Sequence, residues 1–525
     1  MKSSSSFPHT LVLGLILSVL LLFTSNGSDD KAEEWSRFRG PNGSGVAPTH
    51  FQPPVALGPE FETWRTQVPA GLSSPVIGNG RIFLTGIEGE QLVTLAFDQE
   101  TGKLLWWRNA PAPASERVHP ACSPAASTPL VHQERLYAYF GSFGLLCYDL
   151  DGNEIWRRPI PTPQSLYGMS TSPIGNGDHV ILVLDSDRNL TKSQLSESAI
   201  LAVNASDGET AWKTSRPFSR SGWSTPVLLK HKSRTDLIVL GHGRLQAYDA
   251  KTGEGRWFLK GFSRETIAVP LIGTGMIFAS SSRLGGSGDI EKNPEPFWKS
   301  LMPFDSNSNG QIERSEMVGD FTFPFRPELP PDHPGFGMPL PKDTAKRRER
   351  IDWILTWIDK NNDGVWTREE FFENLRSGKE RPLLAAVTPG GRGDISATHV
   401  EWEINRGIPE IPSPIFHEGK IYLLRKGGVL SALNAQSGDS LFRERIPDAP
   451  GQYAASPVIA NDHLYLVSSL GLVSIVRIGD SLDLVHQFDL GEFSETTPAI
   501  DTSTIYFRTG DHLIAYRNKR GMNQP

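Results

Sequence analysis

Only two of the 525 residues are cysteine, Cys122 and Cys147, so no disulfide framework staples this chain and its stability must come from a packed core. From the sequence the two thiols can equally be bonded or free. The formal charge of -7 is mild and no long basic run exists to collect phosphates, which excludes nucleic acid as a natural partner. The chain has no G-x-S-x-G elbow, P-loop, Rossmann fingerprint or His-x-x-x-His metal pair, so the commonest hydrolase, nucleotide-binding and zinc chemistries have no foothold. Long apolar stretches are missing too, except at the start.

That exception is LVLGLILSVLLLF at 11–23, preceded by Lys2 and His9 and followed by Thr24, Ser25, Asn26, Gly27 and Ser28. Thirteen apolar residues are short for a membrane span, and the small residues after them suit cleavage. Residues 1–27 are therefore expected to be a signal peptide, with the mature chain exported to the periplasm or the extracellular space and carrying no transmembrane segment. With 38% hydrophobic and 21% charged residues, the rest can build a core.

What is abundant is repetition. A small residue followed by proline enters an apolar strand at Ser74-Pro75, Thr128-Pro129, Ser172-Pro173, Thr225-Pro226, Val269-Pro270, Ser413-Pro414, Ser456-Pro457 and Thr497-Pro498. Successive prolines lie 54, 44, 53, 44, 144, 43 and 41 residues apart, so one interval is about a hundred residues too long. A second phrase recurs as LLCYDLDGNEIWRR, ILAVNASDGETAWK, LQAYDAKTGEGRWF and LSALNAQSGDSLFR. In it apolar residues alternate up to Asp or Asn, then a turn glycine follows (Gly102, Gly152, Gly208, Gly253, Gly438), then an aromatic: Trp106, Trp156, Trp212, Trp257 or Phe442. We read these aromatics as packing residues that fill the wedge between neighbouring sheets. Eight such units of short strands predict an all-β, eight-bladed β-propeller, and ETWRTQV near residue 62 is expected to supply the outer strand that closes it.

These repeats resemble the pyrroloquinoline-quinone (PQQ) type propeller repeat, shared by quinoprotein alcohol dehydrogenases and BamB-like outer-membrane assembly lipoproteins. WSRFRGPNGSG at 35–45 resembles a phrase found near the start of large secreted propeller proteins. The dehydrogenase resemblance implies a catalytic calcium, an Asp base, a tryptophan platform and a disulfide of adjacent cysteines. This chain has no adjacent cysteine pair, and no base or platform can be matched to that pattern, so PQQ is not expected as a cofactor.

The long interval carries the clearest chemistry. Two segments match D-x-[DN]-x-[DN]-G-x₅-E, the calcium loop of an EF-hand. The first offers Asp305, Asn307, Asn309, the carbonyl of Gln311, Glu313 and Glu316; the second offers Asp359, Asn361, Asp363, the carbonyl of Val365, Thr367 and Glu370. Calcium needs six or seven oxygens gathered from one short loop, which this spacing supplies, so about two Ca²⁺ ions are expected. Apolar Ile312 and Trp366 stand at equivalent positions and predict a short two-stranded contact between the loops. PFWKSLMPF is expected to enter the first loop and ERIDWILTWI the second as helices, with an exit helix opening at Glu370, and seven prolines from Pro324 to Pro341 predict a stiff, non-helical connection. The expected organisation is a first propeller part at 28–283, a small α-helical EF-hand insertion at 284–381 and a second propeller part at 382–525.

Loops before the entrance phrases should converge around the channel, bringing Arg117, His119, Tyr167, Arg220, Trp223, Arg264, Glu265, Arg392, Asp394, Glu410, Tyr453 and Glu495 to one face. The expected function is a non-catalytic, calcium-binding propeller that serves as a binding or scaffold module. Its partner would be another protein or a small polar or anionic ligand in the channel. The alternatives are a divergent quinoprotein alcohol or sugar dehydrogenase and a polysaccharide- or cell-surface-binding protein.

Overall fold

The computed structural model describes residues 34–518 apart from 117, 120, 164, 166, 187–197, 218–221, 242, 264–265, 283–293, 325–329, 331–335, 360, 362, 377–381 and 450. The proposed signal peptide lies outside the described residues. Among them, seven four-stranded antiparallel sheets and one of five strands form an eight-bladed propeller. Each blade begins with a short inner strand directly after an entrance phrase, such as Val76–Gly78 or Val458–Ala460. The middle strands are mostly apolar and, after their first residue, buried on both faces, as in Arg135–Phe140, whereas outer strands such as Glu154–Pro159 and Thr210–Ser215 alternate between partly buried and exposed residues. Glu62–Gln67 pairs with His512–Arg517, so the N-terminal part supplies the outer strand of the eighth blade and joins the two ends of the ring, as its sequence predicts.

The entrance phrases recur because their hydroxyls link the blades. The backbone N–H of Ser74 donates to Thr128 Oγ1 at 2.9 Å, that of Thr128 to Ser172 Oγ at 3.0 Å, and that of Ser172 to Thr225 Oγ1 at 3.1 Å. Val269 has no hydroxyl to continue this run, but its own N–H resumes it by donating to Ser413 Oγ at 3.0 Å. Ser413 then donates to Ser456 Oγ at 3.0 Å, Ser456 to Thr497 Oγ1 at 3.1 Å, and Thr497 to Ser74 Oγ at 3.1 Å, which closes the circle. All the hydroxyl-bearing residues of this ring are buried.

A second contact repeats at the periphery. A Cβ built on Gly102, Gly152, Gly208, Gly253 or Gly438 would lie 2.4–2.7 Å from the ring of Trp64, Trp106, Trp156, Trp212 or Trp402, respectively, each on the outer strand of the preceding blade. Turn glycine and outer-strand aromatic are thus two halves of one interblade contact. Four of these indoles also donate to a carbonyl of the next blade, for example Trp106 Nε1 to Leu150 O at 3.0 Å and Trp402 Nε1 to Ala435 O at 3.1 Å.

The fifth blade is assembled from Leu271–Gly273, Met276–Ser281, Leu383–Val387 and Val400–Ile404. Its second and third strands pair directly, Ser281 opposite Leu383, although about a hundred residues separate them in sequence. The intervening chain leaves and returns at the face where the entrance phrases lie, hereafter the upper face. Its described part contains helices α1 (Pro294–Leu301), α2 (Thr344–Ile358) and α3 (Arg368–Arg376) around their own apolar cluster, which includes Trp298, Leu301, Ile312, Phe321, Ile354, Trp366 and Phe371. Asp343 caps α2 by accepting from Lys346 N at 2.8 Å. No helix among the described residues is long and apolar enough to cross a membrane.

Two substitutions test the interblade contacts. Thr497→Val keeps the shape but strips the Ser456 N–H of its buried acceptor, which should cost about 1–3 kcal/mol of unfolding free energy. Gly438→Ala places a methyl 2.7 Å from the Trp402 ring at a backbone φ of +77° and should cost at least about 1–3 kcal/mol, both read by denaturant unfolding.

Candidate functional site

Two regions gather functional side chains. In the inserted chain, both loops build the same turn with the same hydrogen bonds. Asp305 accepts from the N–H groups of Asn309 and Gly310 at 3.2 and 2.8 Å, and Asp359 accepts from Asp363 and Gly364 at the same two distances. Asn307 Oδ1 accepts from Asn309 N and Asn361 Oδ1 from Asp363 N, each at 2.9 Å. Asn309 Oδ1 accepts from Gln311 N and Asp363 Oδ1 from Val365 N, again at 2.9 Å. Gly310 and Gly364 make the bend at φ of 77° and 82°, a conformation natural to a residue without Cβ.

Later positions close each loop on itself. Glu316 is buried, and its carboxylate accepts from Ser306 N at 2.8 Å and Glu313 N at 3.0 Å. Burial opposes its ionisation, but these N–H groups, with those of Asn307 and the Ser306 hydroxyl, hold its carboxyl below the usual range. Glu370 accepts from the Thr367 hydroxyl at 2.9 Å and Thr367 N at 3.2 Å. Glu313 accepts from the side-chain amides of Asn307 and Asn309 at 3.3 and 2.8 Å. Between the loops, Ile312 pairs with Trp366 and Glu313 with Val365 in a two-residue antiparallel contact, with both apolar side chains wholly buried.

The flanking structure is asymmetric. α1 enters the first loop, α2 enters the second and α3 leaves it, but the first loop has no exit helix. After a 3-10 turn at Arg314–Glu316 the chain passes Gly319 at φ 56° and becomes extended at Thr322–Pro324, pairing with Gly337–Pro339. The three helices that the sequence predicts are thus present, and the first loop is followed by the non-helical connection expected from its prolines. Among the described residues no three His, Cys, Asp or Glu side chains converge as a ready metal cluster. Much of each loop's acceptor set consists of amide, hydroxyl and main-chain oxygens.

The second region is the upper mouth of the channel. His119 lies 4.7 Å from Tyr167 and Tyr167 lies edge-on to Trp223 at 5.3 Å, so three predicted mouth residues from three successive loops do meet. Trp223 Nε1 donates to Gly168 O at 2.8 Å, and Tyr453 is buried with its hydroxyl on Ala449 O. Glu410 is paired with Lys426 at 2.9 Å. Arg117, Arg220, Arg264 and Glu265 lie outside the described residues. Arg392 and Asp394 do not belong to the mouth. They follow the third strand of the fifth blade, at the opposite end from the mouth, where Gly393–Asp394 pairs in parallel with Trp257–Phe258 and Asp394 meets Lys260 at 2.7 Å.

Over residues 60–191 the chain matches the family described as outer membrane protein assembly factor BamB. The crystal structure of BamB from Moraxella catarrhalis has 12% identity and a TM-score of 0.48, covering 88% of this chain and 99% of that one. A quinohemoprotein alcohol dehydrogenase from Pseudomonas putida HK5 gives 12%, 0.49, 94% and 82%, and the computationally designed Ika8 protein gives 9%, 0.48, 86% and 97%. No curated protein matches. The fold is a PQQ- and BamB-like eight-bladed propeller.

Among the described residues of the mouth, Trp223 is buried edge-on against Tyr167 with its N–H committed, and Cys122 is a free thiol, as is Cys147. The mouth centres on a carboxyl that sequence reasoning passed over. Glu116 Oε1 accepts from Met169 N at 2.7 Å, while Oε2 is buried with no hydrogen-bond partner. Burial pushes its pKa up to about 7. Burial also raises the Cys122 thiol and the Glu495 carboxyl, and the charges of Glu116 and Glu495 raise Cys122 further. Nothing in the local sequence SERVHP marks Glu116 out from a surface glutamate; its carboxyl is covered by Gly141 and by the loop carrying Gly168 and Met169.

Because the folded carboxyl holds its proton to higher pH than the unfolded one, stability should fall as pH rises from about 4.5 to about 7 and then level off. Glu116→Gln should remove this component. The variant is expected to match the wild type near pH 4 and to exceed it by on the order of 2–3 kcal/mol at pH 8, measured by urea unfolding.

Proposed function

We propose that this chain is an exported propeller acting as a non-catalytic binding or scaffold module, with an EF-hand pair inserted in its fifth blade that takes about two calcium ions. The observation that carries the calcium reading is the repetition of one hydrogen-bonding scheme in both loops. Asp305 and Asp359 and the acceptors at 307, 309, 361 and 363 bind turn N–H groups at matching distances, each oxygen keeping a second lone pair for another partner. Hard oxygen donors closely spaced along one loop suit a cation of calcium's size and hardness. Asp305, Asn307, Asn309, the Gln311 carbonyl, Glu313 and Glu316 would hold one ion; Asp359, Asn361, Asp363, the Val365 carbonyl, Thr367 and Glu370 would hold the other. The missing exit helix leaves the first ligand set intact because that loop is fastened to the second through Ile312 and Trp366.

The binding-module reading draws on the upper face. The mouth residues lie there, and the fifth-blade strands that flank the inserted chain, paired at Ser281 and Leu383, open toward the same face. Export rests on the apolar run at 11–23.

Calorimetric titration with calcium should show about two sites, with dissociation constants in the range of about 10⁻⁴–10⁻³ M usual for extracellular modules. Replacing Glu316 and Glu370 together by Gln should weaken both by at least about tenfold. Unchanged binding in that variant, or none in the wild type at millimolar calcium, would discard the assignment.

A further inference from the structure

The segment WSRFRGPNGSG has no part in the blades or the inserted loops, yet it is among the most densely bonded pieces of the molecule. It crosses the lower mouth of the channel, at the turns between first and second strands. Trp35 O accepts from Ile77 N on the first blade and Ser36 O from Val131 N on the second, both at 2.8 Å. The Asn42 amide both donates to and accepts from the Leu228 backbone on the fourth blade at 2.9 Å. Gly45 O and Ala47 N bracket Ile459 of the seventh blade, each at 2.8 Å. From this crossing two side chains reach toward the upper end of the inner strands. Arg37 Nη2 donates to Pro226 O of the fourth blade at 2.7 Å, and Arg39 Nη2 to Pro414 O of the sixth at 2.8 Å.

Holding this shape is costly. Arg39 and Asn42 sit at positive φ of 61° and 47°, which their Cβ atoms oppose, while Gly40, Gly43 and Gly45 supply the other left-handed positions. Trp35 packs over Gly40, and Arg39 over Gly45, so closely that a Cβ would lie 2.5 and 2.8 Å away. Arg37 and Arg39 are buried, and the Nε of each and Nη1 of Arg39 have no hydrogen-bond partner. Burial draws their pKa values down to about 10 and about 9, still charged at neutral pH. A strained, charged segment stays in such a place only when its surroundings over-determine it. Here its hydrogen-bonding partners come from five different blades, including two far apart in sequence from all the others.

We propose that residues 35–47 are an intramolecular lock: they dock only on a completed ring, seal its lower mouth, and once docked prevent the five blades they bind from separating without their own release. No partial ring presents the Ile77, Val131, Leu228, Pro414 and Ile459 backbones together. Conversely, if the first, second, fourth, sixth or seventh blade swings out, it removes one of those partners and leaves buried guanidiniums or N–H groups unmet. Undocking and ring opening are therefore one event, and the channel of the folded protein opens at the upper face alone.

The wild-type chain suffices for the main test. Trypsin should cut at Arg37 and Arg39, identified by mass spectrometry at saturating protease, at the rate at which tryptophan fluorescence reports global unfolding under the same conditions. Cleavage there about tenfold or more faster than ring unfolding would show the segment opening independently and overturn the proposal. Gly45→Val, whose side chain would meet Arg39 Nη2 and Pro457 O, should accelerate both rates together by about tenfold or more. Faster cleavage with an unchanged unfolding rate in that variant would overturn the proposal equally, as would no change in either. Should the variant fail to fold, the wild-type comparison of the two rates decides alone.

Discussion

A backbone N–H that donates to the hydroxyl of the next blade is a small interaction, yet the whole propeller turns on its repetition. Seven of the eight entrance phrases put a Ser or Thr just before a proline, so the chain is extended there and its N–H points sideways along the ring. The seven bonds join blades whose sequence separations run from 41 residues to 423, and the last, from Thr497 to Ser74, is made only when the ring has closed. In a buried, low-dielectric channel wall an unmet N–H is expensive, so the bonds act together: opening the circle anywhere leaves donors without acceptors. Val269 breaks the pattern within the fourth-to-fifth step, beside the blade that carries the inserted chain.

The outer contacts complement this inner circle. An aromatic laid over a turn glycine of the next blade fills the space that widens with distance from the axis, and the glycine is required twice, for its positive φ and for its bare surface. Since every blade is held by neighbours on both sides, one connection within a blade can be lengthened greatly. The fifth blade shows it: its second and third strands keep regular pairing across the inserted chain because their partners on the fourth and sixth blades are unaffected.

Much of this was legible beforehand because it rests on local, repeated chemistry. The spacing of eight entrance phrases marked eight blades, and apolar Ile312 and Trp366 marked the strand contact between loops. Where the reading slipped, a local rule was overruled by something distant or by a miscount of connections. Arg392 and Asp394 were placed one connection too late, on the wrong face, because the loop holding them joins the third and fourth strands. Glu116 was unreadable because its carboxyl is covered by Gly141 and by the loop of Met169, neither of which is near it in sequence.

Residue types at short, fixed spacing were enough to mark the blade count, the turn glycines, the packing aromatics of the outer strands and the two oxygen-rich loops. Tertiary structure alone decided which groups are stripped of water. It put an unpartnered carboxylate oxygen of Glu116 in the upper mouth and two guanidiniums, Arg37 and Arg39, inside the channel wall. Burial of that kind is a property of the closed ring, since the atoms that exclude water from each group come from blades hundreds of residues apart, and no window of sequence contains them.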